Sequence, residues 1–307
     1  MLIGTYPMPN HALRLFASLV LMVAAMVAAG PARAATPARD GSFVTSDGVR
    51  LHYLEAGSGD RAIVFIPGWL MPAAVFDLQL AALSGEFRVL ALDPRSQGQS
   101  DLTSKSHDSK RRTQDILEFL EATGTHDFIL AGWSLGVMEV LDLIARTPLA
   151  GLRGLILIDN SIGEGRPPAP RKSEFAAIMK DDSRREAYMR QFCKELTKKP
   201  PPDNVSQAIL DSVLRAPGDI AIELLKQPYP REYWRKTVEK QSVPVMYAVT
   251  PRLRDQADAL RKKRPGGQST VIVFANAGHA LFLDDPQTFN TAAEKFARAA
   301  FDTRRRH

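Results

Sequence analysis

The chain of 307 residues has a single cysteine, Cys193, so it cannot form an intramolecular disulfide bond. Its stability must therefore come from a hydrophobic core, and a chain of this length can bury a large one. Cys193 has no histidine near it in sequence, which favours a packed thiol over a nucleophile. No cluster of Cys, His, Asp and Glu has metal-ligand spacing, and we expect neither a metal nor a cofactor.

The chain also lacks a concentrated charge of one sign. Its formal net charge is +6, from 40 Lys and Arg against 34 Asp and Glu. These cations form no basic stripe of the kind that nucleic-acid-binding proteins carry, so we expect no nucleic-acid partner. The basic end, residues 304–307, is interpreted as a solvated terminus.

Long apolar runs are scarce, and the longest, residues 15–29, is short for a bilayer span of about 20 residues. Arg14 precedes it, the first 34 residues contain no acid, and residues 32–34 read Ala-Arg-Ala. This pattern predicts a signal peptide, 1–34, with an uncleaved N-terminal anchor as the alternative. We therefore predict an exported protein, periplasmic or secreted, with no stable membrane span after cleavage.

What the sequence does contain is a series of short apolar runs typical of parallel strands buried on both faces. They are residues 62–66, 87–92, 128–131, 155–158, 245–249 and 270–274, after a hairpin at 43–54. Helical segments such as 109–122 and 137–146 separate most of them. The alternation predicts an α/β fold, with a mostly parallel twisted sheet flanked by helices.

One long segment interrupts this alternation. Between the sixth and seventh strands, more than 80 residues contain no convincing strand. They include a proline-rich run, 166–171, and amphipathic helices around 172–198 and 205–214. Because strands resume afterwards, we predict a helical cap, 161–240, inserted into a core formed by 41–160 and 241–303.

The feature with the clearest chemistry is Gly-Trp-Ser-Leu-Gly at residues 132–136. An apolar run precedes it and a helical segment follows it, so the order is strand, sharp turn, helix. Two glycines in such a turn allow the backbone to bend tightly and to present Ser134 at the helix N-terminus. A partial positive charge there favours an alkoxide or oxyanion. The motif predicts Ser134 as a nucleophile.

With these motifs the chain resembles the α/β-hydrolase superfamily, and it is similar to bacterial serine esterases and cofactor-free haloperoxidase-type enzymes. Besides the serine motif, the resemblance rests on Ile-Pro-Gly-Trp at 66–69, the loop 93–100 and Ala-Gly-His at 277–279. It implies that His279 is the base for Ser134. His52, His107 and His126 are expected to be solvated.

The resemblance also implies an oxyanion hole, formed by the backbone N–H groups of Leu135 and Trp69. Pro67 stands where the family usually has histidine. Proline has no N–H to donate, but it stiffens the loop and leaves the Trp69 donor in place.

The family's usual acid follows the seventh strand, where this chain has Leu253. Asp159, at the end of the sixth strand, is the favoured substitute, because some family members carry their acid there. Asp255 is a second candidate, and it could equally be an ordinary charge near a helix start. A third alternative is that neither carboxylate serves.

The resemblance thus implies an exported serine hydrolase that cleaves a small-molecule carboxylic ester through an acyl-enzyme. Lactonase, perhydrolase or acyltransferase chemistry would use the same residues, and a catalytically silent binding protein is the alternative of another class. Trp69, Trp133 and Met138 are expected to contact substrate. Further pocket candidates are Leu70, Met71, Leu135, Tyr188, Phe192, Tyr229, Tyr233 and Trp234.

Overall fold

The computed structural model describes residues 37–165, 174–226, 228–264, 266 and 269–302. The predicted signal peptide, 1–34, and the proline-rich run, 166–171, lie outside the described residues.

The described strands form one sheet and confirm the predicted α/β fold. They are β1 (Arg39–Val44), β2 (Arg50–Ala56), β3 (Arg61–Ile66), β4 (Arg88–Leu92), β5 (Asp127–Trp133), β6 (Leu152–Ile158), β7 (Val245–Val249) and β8 (Ser269–Val273). Their order in the sheet is β1-β2-β4-β3-β5-β6-β7-β8. β2 runs antiparallel to β1 and β4, and all the other neighbouring pairs are parallel.

Helices connect these strands on both sides of the sheet. They are α1 (Asp77–Leu83), α2 (Ser109–Ala122), α3 (Leu135–Arg146), α4 (Phe175–Lys180), α5 (Asp182–Glu195), α6 (Asp203–Arg215), α7 (Gly218–Leu224), α8 (Arg231–Glu239), α9 (Arg254–Lys263), α10 (Leu281–Asp284) and α11 (Pro286–Asp302). Within the described ranges, none of the helices has the length and apolar character needed to cross a membrane.

The sheet separates two buried apolar clusters. One includes side chains of α1 and α11, and the other includes side chains of α2, α3, α8 and α9. Because both faces are covered, the central strands are apolar without alternation. In the sheet, Trp133 pairs with Ile158 and Ile158 pairs with Ala248. The loops that follow β5, β6 and β7 therefore begin next to one another, at the carboxyl ends of these strands.

Helices α4 to α8, called the cap helices below, lie between β6 and β7, where the sequence predicts an insertion. The helical segment expected around 172–198 contains two helices, α4 and α5, which are separated at Asp181. Asp181 caps the second helix, and its side chain accepts a hydrogen bond from the backbone N–H of Arg184 at 3.0 Å. The indole N–H of Trp69 donates to the carbonyl of Ala221 in α7 at 2.8 Å, which connects the cap helices to the loop after β3.

Two histidines contradict the expectation that they are solvated. His52 and His107 are buried, and only His126 is exposed. The His52 ring lies between two carboxylates, 2.8 Å from Asp93 and 2.9 Å from Asp40. Both ring nitrogens of a buried imidazole need hydrogen-bond partners. The two partners of His52 lie 41 and 12 residues away in sequence, so the local strand pattern did not indicate that this histidine is buried.

Candidate active site

The turn between β5 and α3 holds Ser134 in a strained conformation. Its φ is 54° and its ψ is −118°, a region that costs about 1–3 kcal/mol for a non-glycine residue. A Cβ on Gly132 would lie 2.5 Å from the carbonyl oxygen of Gly136. A Cβ on Gly136 would lie 2.2 Å from the carbonyl oxygen of Ile66. Both glycines are therefore required by close backbone approach, and the strain lifts one hydroxyl off the end of the strand.

Ser134, His279 and Asp159 form an unbroken line of hydrogen bonds. The Ser134 hydroxyl lies 2.8 Å from Nε2 of His279, and Nδ1 of the same ring lies 2.8 Å from Oδ2 of Asp159. An ionised carboxylate can only accept, so Nδ1 carries the proton. That tautomer leaves the Nε2 lone pair facing the serine hydroxyl.

Asp159 occupies a buried position at the end of β6, with 1% of its surface exposed. Its Oδ1 accepts hydrogen bonds from the backbone N–H and the hydroxyl of Thr250, both at 2.8 Å. Burial by itself raises the pKa of this carboxyl, but hydrogen bonds from His279 and Thr250 hold the pKa of Asp159 below its ordinary value. The carboxylate is thus kept ionised and its two oxygens have separate partners.

Asp255, the other candidate acid, lies in the first turn of α9. Its Oδ1 accepts from the backbone N–H of Gln256 at 2.9 Å, and its carboxylate approaches Gly165 so closely that a Cβ there would clash. Both ring nitrogens of His279 are already engaged by Ser134 and Asp159. The structure therefore brings Asp159 to the histidine and places Asp255 elsewhere.

The two backbone N–H groups expected in an oxyanion hole belong to two segments that meet at Ser134. Leu135 is the first residue of α3, so its N–H has no acceptor within the helix. The loop after β3 reaches the serine through Gly68, where an added Cβ would lie 3.0 Å from the Cβ of Ser134. Trp69 follows directly, and Pro67 precedes without an N–H.

Trp133 has a role that its sequence position does not reveal. Its indole N–H donates to the backbone carbonyl of His279 at 3.0 Å, and the two rings lie 5.3 Å apart. The indole is buried, and it packs edge-on against Phe282 and Phe76. It therefore holds the histidine loop at the end of β5, and no local signal in the sequence could have shown this contact 146 residues away.

Two cavities meet at Ser134 and His279. The smaller, of about 410 Å³, is lined by Gly68, Trp69, Met71, Trp133, Ser134, Glu174, Phe175, Ile178, Tyr188, Phe192, Leu196, Leu225 and His279. The larger, of about 760 Å³, is lined by Trp69, Ser134, Leu135, Met138, Asp159, Asn160, Ser161, Glu195, Lys198, Leu225, Tyr229, Arg231, Trp234, Thr250, Arg252, Ala277, Gly278 and His279. Aromatic rings form much of the wall of the smaller cavity, and charged side chains form part of the wall of the larger one.

Most of the pocket residues expected from sequence line one cavity or the other. Trp69 lines both, Trp133 lines the smaller and Met138 lines the larger. Leu70 and Tyr233 line neither. Leu70 is fully buried, and the Tyr233 hydroxyl donates to Asp142 at 2.6 Å.

Three cations that line the larger cavity, Lys198, Arg231 and Arg252, are not among the residues predicted from sequence. They come from three separate segments, so no motif joins them. Within the described ranges, no group of three or more His, Cys, Asp and Glu side chains is placed to hold a metal ion.

Known proteins share this architecture. A family model described as the alpha/beta hydrolase family matches residues 63–292. The chain is 26% identical over 268 residues to AB hydrolase superfamily protein YisY of Bacillus subtilis, covering 83% of this chain and 98% of that protein. It is 27% identical over 270 residues to a pimeloyl-(acyl-carrier protein) methyl ester esterase of Sodalis glossinidius, covering 81% and 98%.

Among solved structures, the esterase RhEst1 from Rhodococcus sp. ECU1013 superposes with a TM-score of 0.72 at 20% identity, over 86% of this chain and 99% of that one. This likeness concerns the fold. The family match spans well over half of the chain. The chain belongs to the alpha/beta hydrolase family and is an enzyme of that family.

Proposed function

We propose that the protein is an exported serine hydrolase that cleaves a carboxylic ester through an acyl-enzyme. Ser134 is the nucleophile, His279 the general base and Asp159 the acid. The observation that carries the proposal is the line of two 2.8 Å hydrogen bonds from the strained serine to the buried carboxylate. The names of the relatives, which include esterases, are consistent with this chemistry.

Acylation follows from this geometry. The Ser134 hydroxyl attacks the ester carbonyl while Nε2 of His279 takes its proton, because an unassisted serine hydroxyl is a weak nucleophile. The imidazolium that forms is stabilised by the ionised Asp159. The N–H groups of Leu135 and Trp69 donate to the oxyanion, and the alcohol leaves with the proton held by His279.

Deacylation repeats these steps with water. His279 removes a proton from the water that attacks the acyl-enzyme, and the carboxylic acid departs as Ser134 regains its hydrogen. Trp69, Trp133 and Met138 would contact the substrate from the two cavities. Lactone hydrolysis would use the same groups and water on a cyclic ester. Perhydrolysis and acyl transfer would also use these groups, with hydrogen peroxide or another acceptor in place of water.

The missing acid at Leu253 is the best support for the alternative of a catalytically silent binding protein. The 2.8 Å contact between Asp159 and His279 weakens that support. A binding role also gives no reason for a strained serine aligned with an imidazole.

Labelling with a fluorophosphonate and hydrolysis of p-nitrophenyl acetate, butyrate and octanoate test the proposal. The folded wild-type chain should label and turn over at least one ester, and Ser134→Ala should do neither. Ser206→Ala, a serine of α6 that lines neither cavity, serves as the matched control and should keep both properties. A folded wild type that neither labels nor turns over would overturn the hydrolase proposal.

Export is a separate part of the proposal, and it rests on the sequence of residues 1–34. Expression in a bacterial host followed by fractionation and mass spectrometry should find the chain outside the cytoplasm, beginning at Ala35. An intact N-terminus on a cytoplasmic protein would contradict export.

A further inference from the structure

We propose that the larger cavity binds a carboxylate of the substrate, so that the substrate is an ester with an apolar group on one side of the scissile bond and an anionic group on the other. The inference rests on the proposed function, since the cavity opens onto Ser134 and His279.

The charged residues that line this cavity carry an excess of one positive charge. Lys198, Arg231 and Arg252 are the cations, and Asp159 and Glu195 are the carboxylates. A bound monoanion such as a carboxylate would therefore bring the net charge of these groups to zero.

Arg252 is the cation best placed to receive this anion. Its side chain is 62% exposed, and one amino group lies 3.3 Å from Oδ2 of Asp159. Among the described residues, only Asp159 accepts hydrogen bonds from this guanidinium, through its carbonyl and carboxylate oxygens. A guanidinium carries five N–H donors and can hold a carboxylate through two parallel hydrogen bonds. Most of its donors therefore remain for a ligand beside the triad.

Arg231 adds a further positive charge to the wall of this cavity. One amino group donates to the Ser161 hydroxyl at 2.9 Å. The other donates to the backbone carbonyls of Glu164 and Gly165. These oxygen acceptors hold the Arg231 side chain in the wall of the cavity.

The two acids of the cavity have other partners besides these cations. Asp159 uses one amino group of Arg252, but it also accepts hydrogen bonds from His279 and Thr250. Glu195 is exposed at the end of α5 and accepts a hydrogen bond from Gln191 at 2.7 Å. An exposed carboxylate is screened by solvent, so it offsets little of the attraction for a bound anion.

The smaller cavity has the opposite character. Its wall includes Trp69, Phe175, Tyr188 and Phe192, and ring contacts at 5.4–5.8 Å join Trp69 to the two phenylalanines. Such a wall favours an aromatic or aliphatic group over a charged one. Because the two cavities meet at the nucleophile, a bound ester would span both of them.

Matched pairs of esters test the inference. In one pair the carboxylate is on the acyl side, monophenyl succinate against its N-methylamide. In the other it is on the alcohol side, the phenylacetyl ester of glycolic acid against its N-methylamide. In at least one pair, the wild type should prefer the anionic ester by about tenfold or more in kcat/KM, and added salt should reduce this preference.

The preference within each pair separates carboxylate recognition from any effect on the triad. Arg252→Gln should lower it about tenfold, while Arg252→Lys retains part of it. Lys198→Gln should lower it by a smaller factor. Lys262→Gln removes an exposed cation that lines neither cavity, and it should leave the preference unchanged. Melting temperatures check that each variant is folded. Equal hydrolysis of both members in both pairs, or an Arg252→Gln preference equal to that of wild type, overturns the inference.

Calorimetry on Ser134→Ala keeps the two proposals distinguishable. This variant should bind the preferred anionic ester about tenfold more tightly than its amide, and adding Arg252→Gln should remove the difference. Selective binding without turnover by wild type would support the subsite and contradict the ester hydrolase. Turnover of neutral esters without selective binding would support the ester hydrolase and contradict the carboxylate subsite.

Discussion

Replacing Asp159 by asparagine should disable the serine by reversing the histidine tautomer. In the structure Oδ1 accepts from the backbone N–H and the hydroxyl of Thr250, and Oδ2 accepts from His279. The backbone N–H can only donate, so the amide oxygen of an asparagine must stay on the Thr250 side. Its NH₂ group then faces Nδ1 of His279, which must become an acceptor. The proton moves to Nε2, where the ring can no longer accept from Ser134.

The size of the effect follows from this change. Loss of the correct tautomer and of the negative charge costs about four orders of magnitude in a serine protease, or about 5.5 kcal/mol of barrier. We expect a similar fall in kcat/KM for Asp159→Asn. The assay is p-nitrophenyl butyrate hydrolysis, with Asp255→Asn and Thr250→Val as comparison variants. Asp255→Asn should retain wild-type activity. Thr250→Val keeps the backbone N–H that donates to Asp159, so its kcat/KM should fall by only a small factor.

Two results would refute the reasoning. One is an Asp159→Asn variant whose kcat/KM stays within tenfold of wild type. The other is an Asp255→Asn variant with an equal loss. Circular dichroism and thermal melting show whether a variant is folded, because a change at a buried carboxylate can also destabilise the protein.

Trp133→Phe removes the N–H that holds the His279 carbonyl, and we expect a loss of about 1 kcal/mol in stability and a fall in kcat of about fivefold. Unchanged kinetics would assign the indole to packing alone. The Asp47 carboxyl should stabilise the fold above about pH 4 and lose this contribution as pH falls towards 2. The reason is that burial raises its pKa but the charge and hydrogen bonds of Arg95 dominate and lower the pKa of Asp47 to about 2. The contribution should be about 2 kcal/mol at most, and acid titrations of Asp47→Asn and wild type should converge near pH 2. Burial raises the pKa of the Cys193 thiol to about 11, so its thiolate fraction near pH 8 should be about a hundredfold below that of an ordinary thiol. Reaction with a disulfide reagent should be slow until the chain is unfolded, and fast native labelling would contradict this.

The fold could be predicted because its signals are local. Apolar runs such as 128–131 and 155–158 are continuous since helices cover both faces of the sheet, and the helix that follows Ser134 starts within two residues of its predicted position. The break at Asp181 was missed, because a capping aspartate inside a charged helical segment resembles any other surface acid.

The acid of the site could not be chosen from sequence. Asp159 and Asp255 both follow strands and both lie between Ser134 and His279 in the chain. Only the pairing of β5 with β6 and of β6 with β7 brings the end of β6 beside the serine turn and Thr250. The same holds for the contact between Trp133 and His279, which joins the end of β5 to the loop after β8.

The sequence by itself determined the alternation of strands and helices, the serine turn and the histidine loop, because periodicity and turn chemistry act over a few neighbouring residues. Tertiary structure alone decided which carboxylate meets the histidine and how the cavities are charged. Arg231 and Arg252 line the same cavity although they are 21 residues apart in sequence and β7 lies between them. Their position in one cavity depends on how the cap helices pack against the carboxyl ends of the strands, and no short stretch of the chain encodes this packing.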